Sequence, residues 1–165
     1  MEAAVNASTV LVRAMLAYCV HEHQDEAGAA TRVHVRLGPR SCSIEDNGRG
    51  MGLHREGYVT GLLGQLSARP MPVALHGIGL AVIAMASPAM SVESRRNGQR
   101  FTQAFAWGVA QGPVAAAPWE GPTGTQVTFT LPPDAVEIDC AQVMAQVEVW
   151  RAALPGLAIE VSFYM

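Results

Sequence analysis

The chain has 165 residues, half of them hydrophobic and 15% charged, with 11 Lys+Arg against 14 Asp+Glu and a net charge of −3. That composition is globular, not disordered, and the length is that of one domain, able to hide roughly 70% of its unfolded surface. It excludes the basic face that direct nucleic-acid binding needs. No uncharged apolar stretch reaches the roughly 20 residues of a membrane span, and no charged n-region precedes an apolar run as in a signal peptide. A cytoplasmic protein is therefore expected.

Ser8 and Thr9 can cap a helix to about Gln24, with Val10, Leu11, Ala14, Met15 and Tyr18 at helical spacing. Val33, Val35 and Leu37 then alternate with Arg32, His34 and Arg36, the period of a half-buried strand. Gly38 and Pro39 turn the chain, and Ser41 to Glu45 reads as the return strand of a hairpin. A helix is expected over about Glu56 to Leu66 and a loop over Ser67 to Leu75, which holds Pro70 and Pro72. Leu80 to Ala86 reads as a small-residue helix stopped by Pro88.

The second half is sheet-like. Met90 to Arg95 and Gln99 to Ala106 flank Asn97-Gly98, a two-residue hairpin signal because both turn positions need positive φ. Gly108 to Pro122, rich in Gly, Ala and Pro, reads as a long loop. Val127, Phe129 and Leu131 alternate with polar residues as another strand. Asp139 caps an expected helix to about Ala153, Pro155-Gly156 turns the chain, and Ile159, Val161 and Phe163 form a last strand. This mixture predicts an α+β sandwich, one sheet covered by helices. The three cysteines, Cys19, Cys42 and Cys140, form no CxxC pair, so neither a zinc site nor a disulfide framework is indicated.

Three short segments carry chemistry. Asp46-x-Gly48-x-Gly50 places a carboxylate at a strand end before flexible backbone. Glycine lets main chain approach a flat ligand, and a buried carboxylate can accept hydrogen from an exocyclic amine. His76-Gly77-Ile78-Gly79 precedes a helix, whose N-terminus offers N–H groups and a positive dipole end to phosphate. Thr123-Gly124-Thr125, before a strand, adds a hydroxyl and a further close-approach glycine.

Taken together and in order, these segments resemble the GHKL superfamily of ATP-binding domains, nearest the gyrase B and type II topoisomerase branch. Ile44 to Met51 is similar to its adenine-binding motif, and Leu75 to Ser87 to its second glycine motif. Arg96 to Gln99, Phe105 to Gly108 and Gly124 to Phe129 follow its next hairpin and closing threonine strand, so the resemblance covers roughly residues 9 to 164. It implies a two-layer sandwich with a mixed, mostly antiparallel sheet covered on one face by helices. It further implies ATP or ADP as ligand, with Mg²⁺. Asp46 would bind the adenine amino group, helped by a water and the Thr125 hydroxyl. Gly48, Gly50 and Met51 would wall the adenine. His76, Gly77, Ile78 and Gly79 would present N–H groups to the phosphates. Arg96 falls where the family has an arginine at the mouth of the site, which aminocoumarin-type inhibitors contact.

The first helix departs from the family, which has a glutamate as general base and an asparagine one turn later on Mg²⁺. One alignment puts these positions on Tyr18 and Glu22, another on Met15 and Cys19. Tyrosine, with a pKa of about 10, is a poor base at neutral pH. Glu22 is the residue left to hold a cation or to act as a displaced base. The segment between Gly50 and His76 is also shorter than the family's ATP lid, and a transducer domain with its catalytic lysine is not present in the 165 residues, read as a single domain. Three readings follow. The first is a stand-alone adenine-nucleotide-binding protein with weak or absent hydrolysis, able to work through a protein partner. The second is an active enzyme, either a slow ATPase or a repurposed pocket. The third is a non-catalytic scaffold or a decoy for gyrase inhibitors.

Overall fold

A computed structural model describes residues 30–48, 50 and 83–164. The expected helix from Ser8 to Gln24, the helix from Glu56 to Leu66, the loop from Ser67 to Leu75 and the start of the helix at Leu80 lie outside the described residues.

The described strands are β1 (Arg32–Leu37), β2 (Ser41–Asp46), β3 (Ala89–Arg96), β4 (Gln99–Ala106), β5 (Val109–Ala110), β6 (Ala115–Pro118), β7 (Gly124–Thr130) and β8 (Ala158–Phe163), with helix α1 (Cys140–Ala153) before the last. They form one sheet in the order β5-β4-β3-β7-β2-β1-β8, with β6 also on β4. Every pairing is antiparallel except that of β1 with β8. This is the α+β sandwich expected, with a mixed and mostly antiparallel sheet.

Strict alternation gives the sheet its two faces. Val33, Val35 and Leu37 of β1, Cys42 and Ile44 of β2, Met90 and Val92 of β3, and Val127 and Phe129 of β7 are buried in one cluster. Ile83, Ala84, Val143 and Val147 close over them from the helical side. The opposite face is polar: the Gln126 amide and the Thr128 hydroxyl both hydrogen-bond Ser43 Oγ, at 3.2 and 3.1 Å. Cys42 and Cys140 are free thiols. Burial pushes the Cys42 thiol well above its ordinary range, with neighbouring Cys140 adding to the shift.

The helix ends are built as the sequence predicts. Residues 83–86 are helical. The Ser87 hydroxyl donates to the Ile83 carbonyl at 2.6 Å, and Pro88 prevents continuation of the helix. At α1, the Asp139 side chain accepts from Gln142 N–H at 3.2 Å, a standard N-cap contact. Val143 and Val147, one turn apart, are its buried residues.

One expectation is corrected. Gly108 to Pro122 is not simply a loop, because it contains β5 and β6, both antiparallel to β4. The outer edge of β4 exposes backbone N–H and C=O groups that must be paired or hydrated. Main-chain pairing satisfies them without alternating side chains, and Ala, Pro and Gly hide the strands from a propensity reading.

Candidate functional site

Asp46 ends β2, and the register across the sheet sets its neighbours. Asp46 opposes Thr125 of β7, Thr125 opposes Ser94 of β3, and Ser94 opposes Phe101 of β4. On the other side Asp46 opposes Val33 of β1. Asp46, Thr125 and Ser94 therefore form a polar row on the helix-covered face, 3%, 4% and 0% exposed. The next row inward is apolar, with Ile44, Val127 and Val92 in the same register. Burying a carboxylate and two hydroxyls at the end of an apolar face is costly unless they are engaged by polar partners, and all three are so engaged; the row is the candidate site.

The turn after Asp46 is fixed by its own side chains. Gly48 N–H donates to Asp46 Oδ1 at 2.9 Å. Asn47 Oδ1 accepts from the N–H groups of Thr31 and Arg32, each at 2.8 Å, and its amide donates to the Thr31 hydroxyl. These bonds tie the end of β2 to the start of β1.

Three glycines keep this region close-packed. A Cβ at Gly48 would sit 3.1 Å from Asp46 Oδ1. Gly50 has φ of +85°, and a Cβ there would lie 2.5 Å from the Arg95 carbonyl oxygen. A Cβ at Gly124 would lie 2.3 Å from the Asp46 carbonyl oxygen. Arg96, at the end of β3, donates from Nη1 to the Gly50 carbonyl at 3.4 Å, so the arginine and the glycine turn meet at the rim of the polar row.

Of the residues singled out in the sequence, the structure thus brings together Asp46, Gly48, Gly50, Arg96 and Thr125. Met51, His76, Gly77, Ile78, Gly79, Tyr18 and Glu22 lie outside the described residues. Sequence reasoning missed Ser94. The available signal was the alternation Met90, Val92, Ser94, which puts a serine at a core-facing position of a strand. Among the described residues no group of three or more His, Cys, Asp or Glu gathers to hold a metal ion, and no helix is long and apolar enough to cross a membrane.

The same fold recurs in known proteins. The chain superposes on the 43K ATPase domain of Thermus thermophilus gyrase B, solved in complex with an aminocoumarin, with a TM-score of 0.79 and 25% identity; the match covers 93% of this chain and 42% of that one. It is 38% identical over 104 residues to the B subunit of DNA topoisomerase 4 from Staphylococcus epidermidis, and 36% identical over 105 residues to its counterpart from Staphylococcus aureus. Each of these two matches covers 54% of this chain and 15% of the relative's length. No family profile matches the chain.

Proposed function

Because this chain is a GHKL-type domain with the gyrase B ATPase fold, we propose that it binds an adenine nucleotide, ATP or ADP, and hydrolyses ATP weakly or not at all. The observation that carries the reading is the buried row of Asp46, Thr125 and Ser94 beside a glycine turn. Adenine presents an exocyclic amine, a donor, and a buried carboxylate is its complement. Guanine presents a carbonyl at the same place and would face the carboxylate acceptor to acceptor. Gly48 and Gly50 follow Asp46 closely, and main chain without side chains can lie against a flat ring.

In this reading Asp46 accepts from the adenine amine and Thr125 assists it through a water. Gly48, Gly50 and Met51 wall the ring. His76, Gly77, Ile78 and Gly79 offer N–H groups to the phosphates, and Glu22 is the residue left to hold Mg²⁺. A bound Mg²⁺ would neutralise phosphate charge and orient the attacked phosphorus. Hydrolysis also needs a positioned base, and neither Tyr18 nor Glu22 reproduces the expected pair.

A second reading, capture of an aminocoumarin-type inhibitor, is favoured by the aminocoumarin complex of the gyrase B domain that shares this fold and by Arg96 lying beside Gly50. It predicts that such a compound competes with ADP and that Arg96→Ala weakens the compound more than the nucleotide.

Isothermal titration calorimetry with ADP and with a non-hydrolysable ATP analogue, each with and without Mg²⁺, tests the main reading. Micromolar binding that disappears in Asp46→Asn is the expected result, because the amide presents a donor where an acceptor is needed. Equal affinity in the two proteins removes Asp46 from adenine recognition.

A further inference from the structure

On the polar face of the sheet, directly behind the Asp46 row, lies a second arrangement. Arg95 follows Ser94 and points to the other face; its register partner on β7 is Gly124 and on β4 Arg100. The guanidinium crosses β7 at Gly124, where a Cβ would come within 2.8 Å of Arg95 Nη2. Beyond that glycine it meets Glu45 of β2, Nη2 to Oε2, at 3.2 Å. Trp119 roofs it, with the Arg95 guanidinium carbon 5.7 Å from the ring centroid. Arg100 meets the same ring at 5.9 Å and pairs with Glu93 at 3.5 Å.

The arginine is held firmly. Its side chain is 12% exposed, and Nε is buried with no hydrogen-bond partner among the described residues. A guanidinium over a Trp ring is attracted by the ring quadrupole, so the indole adds a second contact to the Glu45 ion pair. Trp119 is itself fixed. Its backbone N–H donates to the Gly98 carbonyl and its indole Nε1 to the Pro122 carbonyl, both at 2.9 Å. A Cβ at Gly121 would collide with the indole at 2.5 Å.

We propose that Arg95, locked between Glu45 and Trp119, is a positioning residue that sets the spacing of Asp46 and Thr125 and so the selectivity for adenine. The inference rests on the adenine-binding reading above. The Arg95 side chain lies on the face of the sheet opposite Asp46, Thr125 and Ser94. It joins the residue before Asp46, on β2, to the residue after Ser94, on β3, across the glycine that precedes Thr125. All three members of the polar row are thereby fixed from behind by one planar group. A lysine can keep the charge at this place but cannot reproduce a planar cation stacked on indole and bonded to a carboxylate.

The test is the ratio of ADP to GDP affinity, measured by calorimetry on the full chain. A fraction of unfolded protein lowers both affinities alike and cancels in the ratio, so loss of stability alone cannot move it. In Arg95→Ala the ratio should fall about tenfold, the low end of what loss of an outer-shell partner costs a metal ligand. Arg95→Lys and Trp119→Leu should lower it by less. An unchanged ratio in folded Arg95→Ala overturns the inference. If that variant does not fold by circular dichroism, Arg95→Lys and Trp119→Leu decide: a lowered ratio supports the inference and an unchanged one overturns it. Wild-type protein without a preference for ADP, or with one that survives Asp46→Asn, overturns the adenine reading and this inference with it. A preference lost in Asp46→Asn but kept in the Arg95 variants overturns this inference alone.

Discussion

Gly124 and Asp46 approach so closely across β7 and β2 that a Cβ on the glycine would lie 2.3 Å from the aspartate's carbonyl oxygen. Backbone on that side cannot yield as a flexible side chain would. Gly124→Ala should therefore force the strands apart and destabilise the fold by about 2 kcal/mol, in the range of overpacked cores. Urea unfolding followed by circular dichroism measures this directly. Nucleotide affinity should fall in the same variant, because Thr125 is the next residue.

Two tight turns of the same kind carry different residues. Asn97-Gly98 joins β3 to β4 with φ of 55° and 72°, and Trp107-Gly108 joins β4 to β5 with φ of 51° and 82°. Asparagine tolerates this left-handed region, whereas a bulky aromatic residue is strained there by about 1 kcal/mol. Trp107 is also 55% exposed, so little packing compensates. Trp107→Asn is expected to raise the melting temperature and Asn97→Trp to lower it. Equal melting temperatures in all three proteins would show that the turn geometry is not costly.

Burial of Cys42 gives a pH dependence with a definite sign. Its thiol titrates higher in the fold than the ordinary value of 9.0, chiefly through desolvation and secondly through Cys140. Well below pH 9 the thiol is neutral in both folded and unfolded chains. Above it the unfolded chain ionises first and binds fewer protons, so stability falls as pH rises, by up to ~1.4 kcal/mol per pH unit. Cys42→Ala should lose this component. The measurement is the urea midpoint of both proteins at pH 8 and pH 10; parallel shifts would assign the alkaline loss to other groups.

Residues 18 and 22 offer a gain-of-function test. If Tyr18 and Glu22 occupy the base and metal positions, Tyr18→Glu combined with Glu22→Asn supplies a carboxylate base and a neutral oxygen ligand. Phosphate release from ATP in a single-turnover assay with Mg²⁺ should then rise by roughly a hundredfold, the low end of general-base contributions. No rise would favour the other alignment, on Met15 and Cys19.

Local patterns made much of this legible. The alternation of Val33, Val35 and Leu37, the Asn97-Gly98 turn and the Asp139 cap are short-range effects, and all three recur in the structure. Ser94 was harder to see. A serine in a strand reads as solvent-facing until the register shows it opposite Thr125, itself opposite Asp46. The strands β5 and β6 were harder still, since β5 is two residues long and the Ala-Ala-Ala-Pro of β6 carries little β-propensity.

What the sequence determined by itself is most of the described elements, β5 and β6 excepted, because turn chemistry, capping and hydrophobic period act within a few positions. Asp46, the glycines at 48 and 50, and Thr125 could be named from their order along the chain. Only the tertiary structure decided which residues share a row. Register across non-consecutive strands is fixed by packing of the whole apolar face, since a slip of one residue would turn every buried side chain to water. That packing sets Ser94 beside Thr125, lays Arg95 across Gly124 to Glu45, and brings Trp119 over the arginine from a segment that reads, on its own, as a loop.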